Sequence, residues 1–429
     1  MNLRHSIRHQ LLMGIAVIVV PAGALAKTEV IPSASVSIGA GFSRNPFLSA
    51  LGDNSTATGS IDVAPSLEFI DATTDAVLSA DYNRTEYLSK FPGTDAYRLS
   101  VSGSHRFDPH FSLNLGIAFE SAILGTSASN FVSPLTTFPT ETGAPISALP
   151  NVVAPLVPTS TPIVSIPAVG LIGGDFGLVG LRQRREQLSV SASLDFQTTA
   201  RSTWTVGVSA SRAKYPGAGL LANDYKSYGV NLGYTRQLSA SRTIGFSVAA
   251  SSVDYAGRPT SRVYTPRITY TQQLSPRWSL RAAAGLGLVD NGFGTDVSGL
   301  FELGFCRRGE RGQFCFSGSQ QPSVNGFGGT RTQTAASVSY NYRFSERTVA
   351  AASISYSRLA GNSVAAVGAV PANNSQDYVS TELSLNRRIM RQMYVFGAVS
   401  YRDIYGLDRA VSADLAARVG ISLALGGRR

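Results

Sequence analysis

Apolar and polar residues alternate with period two along most of the chain. Leu188, Val190, Ala192, Leu194 and Phe196 interleave with Ser189, Ser191, Ser193 and Asp195. After Thr198–Arg201 the pattern returns as Trp204, Val206, Val208 and Ala210 against Thr205, Gly207, Ser209 and Ser211. It recurs in Tyr97–Val101, Phe111–Phe119, Ile244–Val248 and Val338–Phe344. Successive side chains of a strand point to opposite faces, so each stretch predicts a strand with one apolar and one polar face. At about ten residues, such a strand crosses a bilayer when tilted.

The links between these segments alternate in length. Tight links fall at Asp108-Pro109, Thr198–Arg201, Ser239–Ser241, Ser275-Pro276, Ser345–Arg347 and Met390–Gln392; longer ones span 87–94, 124–182, 215–223, 320–331 and 359–376. Segments begin near residues 34, 58, 73, 95, 110, 183, 202, 223, 240, 260, 276, 297, 311, 332, 346, 376, 391 and 409. The expected fold is therefore all-β, a transmembrane antiparallel up-and-down β-barrel of about 18 strands with one long extracellular or in-folded loop. An even number returns both chain ends to the short-turn, periplasmic side. A loop hairpin at 297–320 would reduce the number to 16.

Aromatic residues gather at the turn ends, as interfacial girdles do: Phe107, Phe111, Phe196, Trp204, Tyr234, Tyr270, Trp278, Tyr342, Phe344 and Tyr394. A soluble β-sandwich would not gather them at one end of strand after strand.

The first 26 residues read as an export signal. Arg4 and Arg8 precede an apolar run from Leu11 to Val20, then Pro21 and the small-residue exit Ala24-Leu25-Ala26. The expected organisation is a signal peptide over 1–26 and a barrel over 27–429 that includes the loop 124–182. An uncleaved anchor is the alternative reading of the same run. Only 15% of the 429 residues are charged, and the net charge of +10 falls to +8 without Arg4 and Arg8. The arginines are dispersed along alternating strands of an exported chain, which argues against nucleic acid as a partner.

Catalytic chemistry is sparse. Past the signal only His105 and His110 remain, both beside the tight Asp108-Pro109 turn, so no enzyme activity, metal or cofactor is expected. Cys306 and Cys315 are the only cysteines, without Cys-x-x-Cys spacing. With Phe301, Leu303, Phe305, Phe314 and Phe316 facing lipid, both cysteines face inward across a hairpin turning at Arg307–Gly312. A structural disulfide is the expected outcome in an oxidising compartment.

Parity directs Arg98, Arg106, Arg185, Arg267, Arg281, Arg343 and Arg418 inward, with Asp62, Glu68, Asp81, Glu120, Asp195, Glu302, Glu382 and Asp414. These are the candidate pore-lining residues. They form either a charge network that satisfies a polar interior or an electrostatic filter in which arginine pairs with carboxylates or phosphates. The segment 124–182 is apolar, with Glu141 and Asp175 as its acidic residues, and is expected to pack into or over the mouth and to control access. A disordered surface loop is the alternative.

The last alternating segment sets Ala413, Leu415, Ala417, Val419, Ile421, Leu423 and Leu425 against Asp414, Arg418 and Ser422, and resembles the closing strand of outer-membrane barrels. It departs from them in ending Leu425-Gly426-Gly427-Arg428-Arg429 rather than on an aromatic residue. Gly39-Ala40-Gly41-Phe42-Ser43-Arg44-Asn45-Pro46-Phe47-Leu48 and Tyr340-Asn341-Tyr342-Arg343-Phe344-Ser345-Glu346-Arg347-Thr348 resemble the β-barrel porin families of proteobacteria. Some members of those families are encoded with exopolysaccharide assembly genes. The resemblance implies an envelope channel in the outer membrane of a Gram-negative bacterium. Its partners would be outer-membrane lipid, the barrel-assembly machinery and polysaccharide-export components. The expected function is a channel for polar solutes or for exopolysaccharide export; the competing reading is a non-transporting structural or adhesion protein of the envelope.

Overall fold

A computed structural model of the chain describes residues 28–49, 54–124, 126, 182–217, 224–256, 259–292, 294–324, 330–360, 375–406 and 411–426. The expected signal segment and nearly all of the long loop 124–182 lie outside the described residues.

Eighteen strands follow one another: β1 (Glu29–Ser43), β2 (Thr56–Ile70), β3 (Thr74–Tyr87), β4 (Thr94–Asp108), β5 (Phe111–Ile123), β6 (Arg184–Thr199), β7 (Ser202–Lys214), β8 (Tyr225–Ser239), β9 (Arg242–Tyr255), β10 (Ser261–Ser275), β11 (Trp278–Asp290), β12 (Thr295–Arg308), β13 (Gly312–Val324), β14 (Thr330–Ser345), β15 (Thr348–Ala360), β16 (Gln376–Arg388), β17 (Met393–Tyr405) and β18 (Asp414–Gly426). Each pairs antiparallel with its chain neighbours, and β1 pairs with β18 from Ser33↔Gly426 to Ser43↔Ala416, so the sheet closes on itself. Closure pairs the edge strands that an open sheet would leave bare.

The hairpin at 297–320 belongs to the wall, which settles the strand number at 18. Three expectations need correction. β1 starts at Glu29, earlier than 34, because its ladder to β2 continues to Glu29↔Ile70. β18 starts at Asp414, later than 409, where the Asp414 carboxylate is drawn inward by Arg402. The connection expected over 320–331 is largely strand, since β13 and β14 pair as far as Val324↔Thr330.

The tight turns share a local device. Asp108, Thr199, Ser239, Ser275 and Ser345 each accept a hydrogen bond from the backbone N–H two residues on, at 2.6, 3.2, 3.3, 3.2 and 3.2 Å. A short side-chain oxygen can imitate a backbone turn in this way. In the same five hairpins the ladder register shifts just before the turn, as a bulge does.

Alternation decides which face each residue takes. Ile38, Leu115, Val208, Val230, Ile268 and Val419 stand on the outside and are exposed. Such a belt would be unfavourable in water by roughly 25 cal/mol per Å² and is at home in hydrocarbon. At the turn end the belt closes in aromatic contacts, including Phe107 with Phe111 at 5.2 Å and Trp204 with Tyr234 at 4.9 Å. Tyr394 is the exception to the expected girdle: its register with Ser422, and that of Ser422 with Ser37, puts it on the inner face. A closed wall with an apolar exterior, tight turns at one end and long connections at the other is an outer-membrane barrel, its long-connection end facing outward.

Candidate pore and its mouth

Serine supplies much of the inner face. Cross-strand hydroxyl pairs join Ser33 to Ser66 at 2.6 Å, Ser37 to Ser422 at 2.9 Å, Ser79 to Ser100 at 2.6 Å, Ser317 to Ser337 at 2.7 Å and Ser355 to Ser380 at 2.5 Å. Small hydroxyl side chains satisfy one another without filling the bore.

The strand register places all of the candidate pore-lining residues on this inner face, and brings some of them together. On β4–β6, Glu120 lies between Arg98 Nη2 at 3.7 Å and Arg185 Nη2 at 3.6 Å. Six strands further round, Glu302 of β12 lies between Arg267 Nη1 at 4.0 Å and Arg281 Nε at 3.2 Å. Each set holds two guanidinium groups on one glutamate; Arg267 and Arg281 share Glu302, while Arg98 also faces Asp81 across β3–β4. Between β16 and β4 the wall carries the carboxyl groups of Glu382, Asp62 and Asp81 together with Arg418. Arg418 interacts there with Glu382 and Asp62, and Asp62 with Asp81. The buried Phe396 ring lies over Gly420, where a Cβ would come within 2.5 Å of the ring, and the Arg418 guanidinium stands 5.5 Å from its centroid.

Other candidates stand apart from these sets. Asp195 is held by Thr205 Oγ1 at 2.6 Å and Asn114 Nδ2 at 2.8 Å. Arg106 and Arg343 sit near the tight turns, and Glu68 pairs in register with Val77 and Ile31. Cys306 and Cys315 are directly opposite across β12 and β13 and form a disulfide, with Cα atoms 4.2 Å apart.

Neither histidine faces the bore. His105 Nδ1 meets Thr74 Oγ1 at 2.8 Å on the outer face, and its ring stacks edge-on to Phe107 at 4.6 Å. His110 Nδ1 lies 3.1 Å from the Gln197 carbonyl at the turn. Among the described residues, no cluster of three His, Cys, Asp or Glu side chains is arranged to hold a metal.

The outer end of the bore is where sequence reasoning fell short. After β1 the chain turns inward and buries Phe47 and Leu48 completely. Leu48 packs on Leu359, Tyr378, Ile404 and Val411, while Phe47 stacks with Tyr87 at 5.1 Å and Phe91 at 5.0 Å, with the Arg182 guanidinium 4.5 Å over its ring. Below this segment, Arg402 Nη2 donates to Asp414 Oδ2 at 2.6 Å and to the Pro46 carbonyl at 3.2 Å. Asp414 Oδ1 also accepts from Ser43 Oγ and the Asn45 N–H.

A second segment enters from the opposite sector. The β12–β13 ladder stops at Phe301↔Gln320, and beyond it the β13–β14 hairpin leans into the bore. Pro322 lies against the inner wall at Gly287, where a Cβ would come within 2.6 Å of the proline ring. Thr330 Oγ1 is 3.0 Å from Ser261 Oγ of β10. Val324 packs on an inner cluster of Leu124, Ala213, Tyr215, Tyr225, Val253 and Tyr255. Arg331 is buried on this hairpin, and neither Nε nor Nη1 has a hydrogen-bond partner. Pro322 was the readable signal, because proline has no N–H to give to a ladder.

No protein-family model matches the chain, and no curated protein matches it. Among solved structures it is similar to OccK2 (OpdF) of Pseudomonas aeruginosa in complex with glucuronate, at 11% identity over 93% of this chain and 98% of that one, with a TM-score of 0.45. It is also similar to a BenF-like porin from Pseudomonas fluorescens, at 10% identity over 94% and 100% of the two chains and a TM-score of 0.45. A third is OpdL of Pseudomonas aeruginosa, at 13% identity over 94% and 99% and a TM-score of 0.44.

Proposed function

We propose that the chain is a passive channel for small polar solutes, with charged and hydroxyl-bearing molecules the class that its inner face suits. The observation that carries this reading is the inner wall itself: serine pairs interrupted by Arg–Glu–Arg sets on β4–β6 and on β10–β12, and by Asp62, Asp81 and Glu382 with Arg418 between them. Charged side chains of both signs along a polar bore orient dipolar solutes and discriminate between ions. An 18-stranded barrel is wide enough to enclose such a bore. Export of exopolysaccharide is the less favoured cargo, because Phe47, Leu48 and the β13–β14 hairpin turn into the mouth and take up part of its width. Reconstitution into planar bilayers tests the reading. Discrete conductance steps, blocked by small neutral polymers and indifferent to large ones, are expected; folded, heat-modifiable protein that never conducts overturns it.

A further inference from the structure

The wall has a notch. From Thr295 to Leu300, β12 remains paired to β11 but receives no ladder partner from β13, which has turned into the bore. The notch reaches down into the apolar belt, since Val297 on the outer face is 66% exposed and pairs with Leu288, and Gly299 pairs with Leu286. A strand edge open to hydrocarbon is costly, because an unmatched N–H or C=O finds no partner there. One of these groups is served: Gln320 Nε2 donates to the Gly299 carbonyl at 2.9 Å, and Gln320 Oε1 accepts from Thr334 Oγ1 at 3.3 Å. Among the described residues no ladder partner serves the rest of the edge, which is left to water from the bore or a hydrogen-bonding guest.

The two lips differ in chemistry. One is aliphatic, with Val297, Leu286 and Leu288; the other carries the Gln320 amide and the Thr334 hydroxyl. Behind the notch Val263, Val289 and Leu300 are buried beside Ser298 and Ser261, and an apolar strip leads past Pro322 and Val324 to Tyr225 and Tyr255. At the upper corner Asp290 and Asp296 disfavour an anionic headgroup.

We propose that this notch is a lateral portal between the mouth of the bore and the outer leaflet, suited to an amphipathic molecule with an aliphatic chain and an uncharged hydroxyl or amide head. The proposal rests on the channel reading for its direction into the bore, but its test does not need conductance. Single cysteines are placed at Val297 on the outer face, at Ser298 and Leu300 on the inner face beside the notch, and at Ser353 on the inner face of β15. The native disulfide leaves the new thiol as the one free for a fluorophore. In vesicles of chain-brominated phosphatidylcholine, strong quenching is expected for Val297→Cys and little for Ser353→Cys. Ser298→Cys and Leu300→Cys should be quenched to at least half the Val297→Cys value. Inner positions as dark to the bromines as Ser353→Cys overturn the portal, even if the protein conducts. Two inner variants are used so that a folding failure of one leaves the other to decide, with heat-modifiable migration as the folding check. A quenched but non-conducting protein overturns the channel reading and leaves the portal standing.

Discussion

Arg402 and Asp414 form an ion pair at 2.6 Å whose side chains are 3% and 0% exposed, and that pair holds the inward turn after β1 in place. Removing one partner would strand the other charge. Asp414→Asn or Arg402→Met is expected to cost roughly 3–5 kcal/mol, whereas Arg402→Met combined with Asp414→Leu should recover part of it. Urea midpoints of the heat-modifiable form measure both. Equal losses in the single and double variants would show that the pair does not anchor the segment.

Glu302 neutralises one of the two guanidinium groups beside it. Glu302→Gln leaves Arg267 and Arg281 unmatched and should raise anion over cation permeability. The effect is about 0.7 kcal/mol at ~6 Å in water, roughly threefold. Reversal potentials in a salt gradient report it, and Glu120→Gln should act in the same direction.

The disulfide closes a short loop at the turn end of the shortest ladder. Cys306→Ser with Cys315→Ser is expected to lower stability by roughly 2–3 kcal/mol while leaving the strand content in circular dichroism unchanged. A variant as stable as the parent would mean that the remaining ladder suffices.

Each side chain that accepts from the N–H two residues on stabilises its own turn. Ser275→Ala and Ser345→Ala should each cost about 1 kcal/mol, and their effects should add because the turns are far apart. Thermal midpoints of the two single variants and the double variant test the additivity.

The faces of the wall were legible because period two is absolute in a strand: once Val206 and Val208 face lipid, Ser209 and Ser211 cannot. Turn chemistry was legible for the same local reason, in repeats such as Ser275-Pro276-Arg277 and Ser345-Glu346-Arg347. The mouth was not. Arg402 meets Asp414 as its register partner across β17 and β18, but it meets Pro46 only because ring closure brings the turn after β1 against β18. Tyr394 misled because an aromatic near a turn reads as girdle, while its register partner Ser422 puts it inside. Pro322 marked the place where β13 leaves β12, but parity reasoning alone runs through a proline unchanged.

The ladder between β1 and β18 also bears on how such a wall can change over generations. Its first strand is completed by its last, so losing or gaining a single strand would reverse the direction of every strand beyond it and leave β1 facing a parallel neighbour. The smallest heritable step that keeps the ring intact is a whole hairpin. Duplication or deletion of a unit such as β10 with β11, joined by a turn of the Ser-Pro-Arg kind, would alter the bore while leaving each remaining strand its antiparallel neighbour. Lineages of this architecture are expected to differ in width by pairs of strands, and their turn-end sequences should show the join.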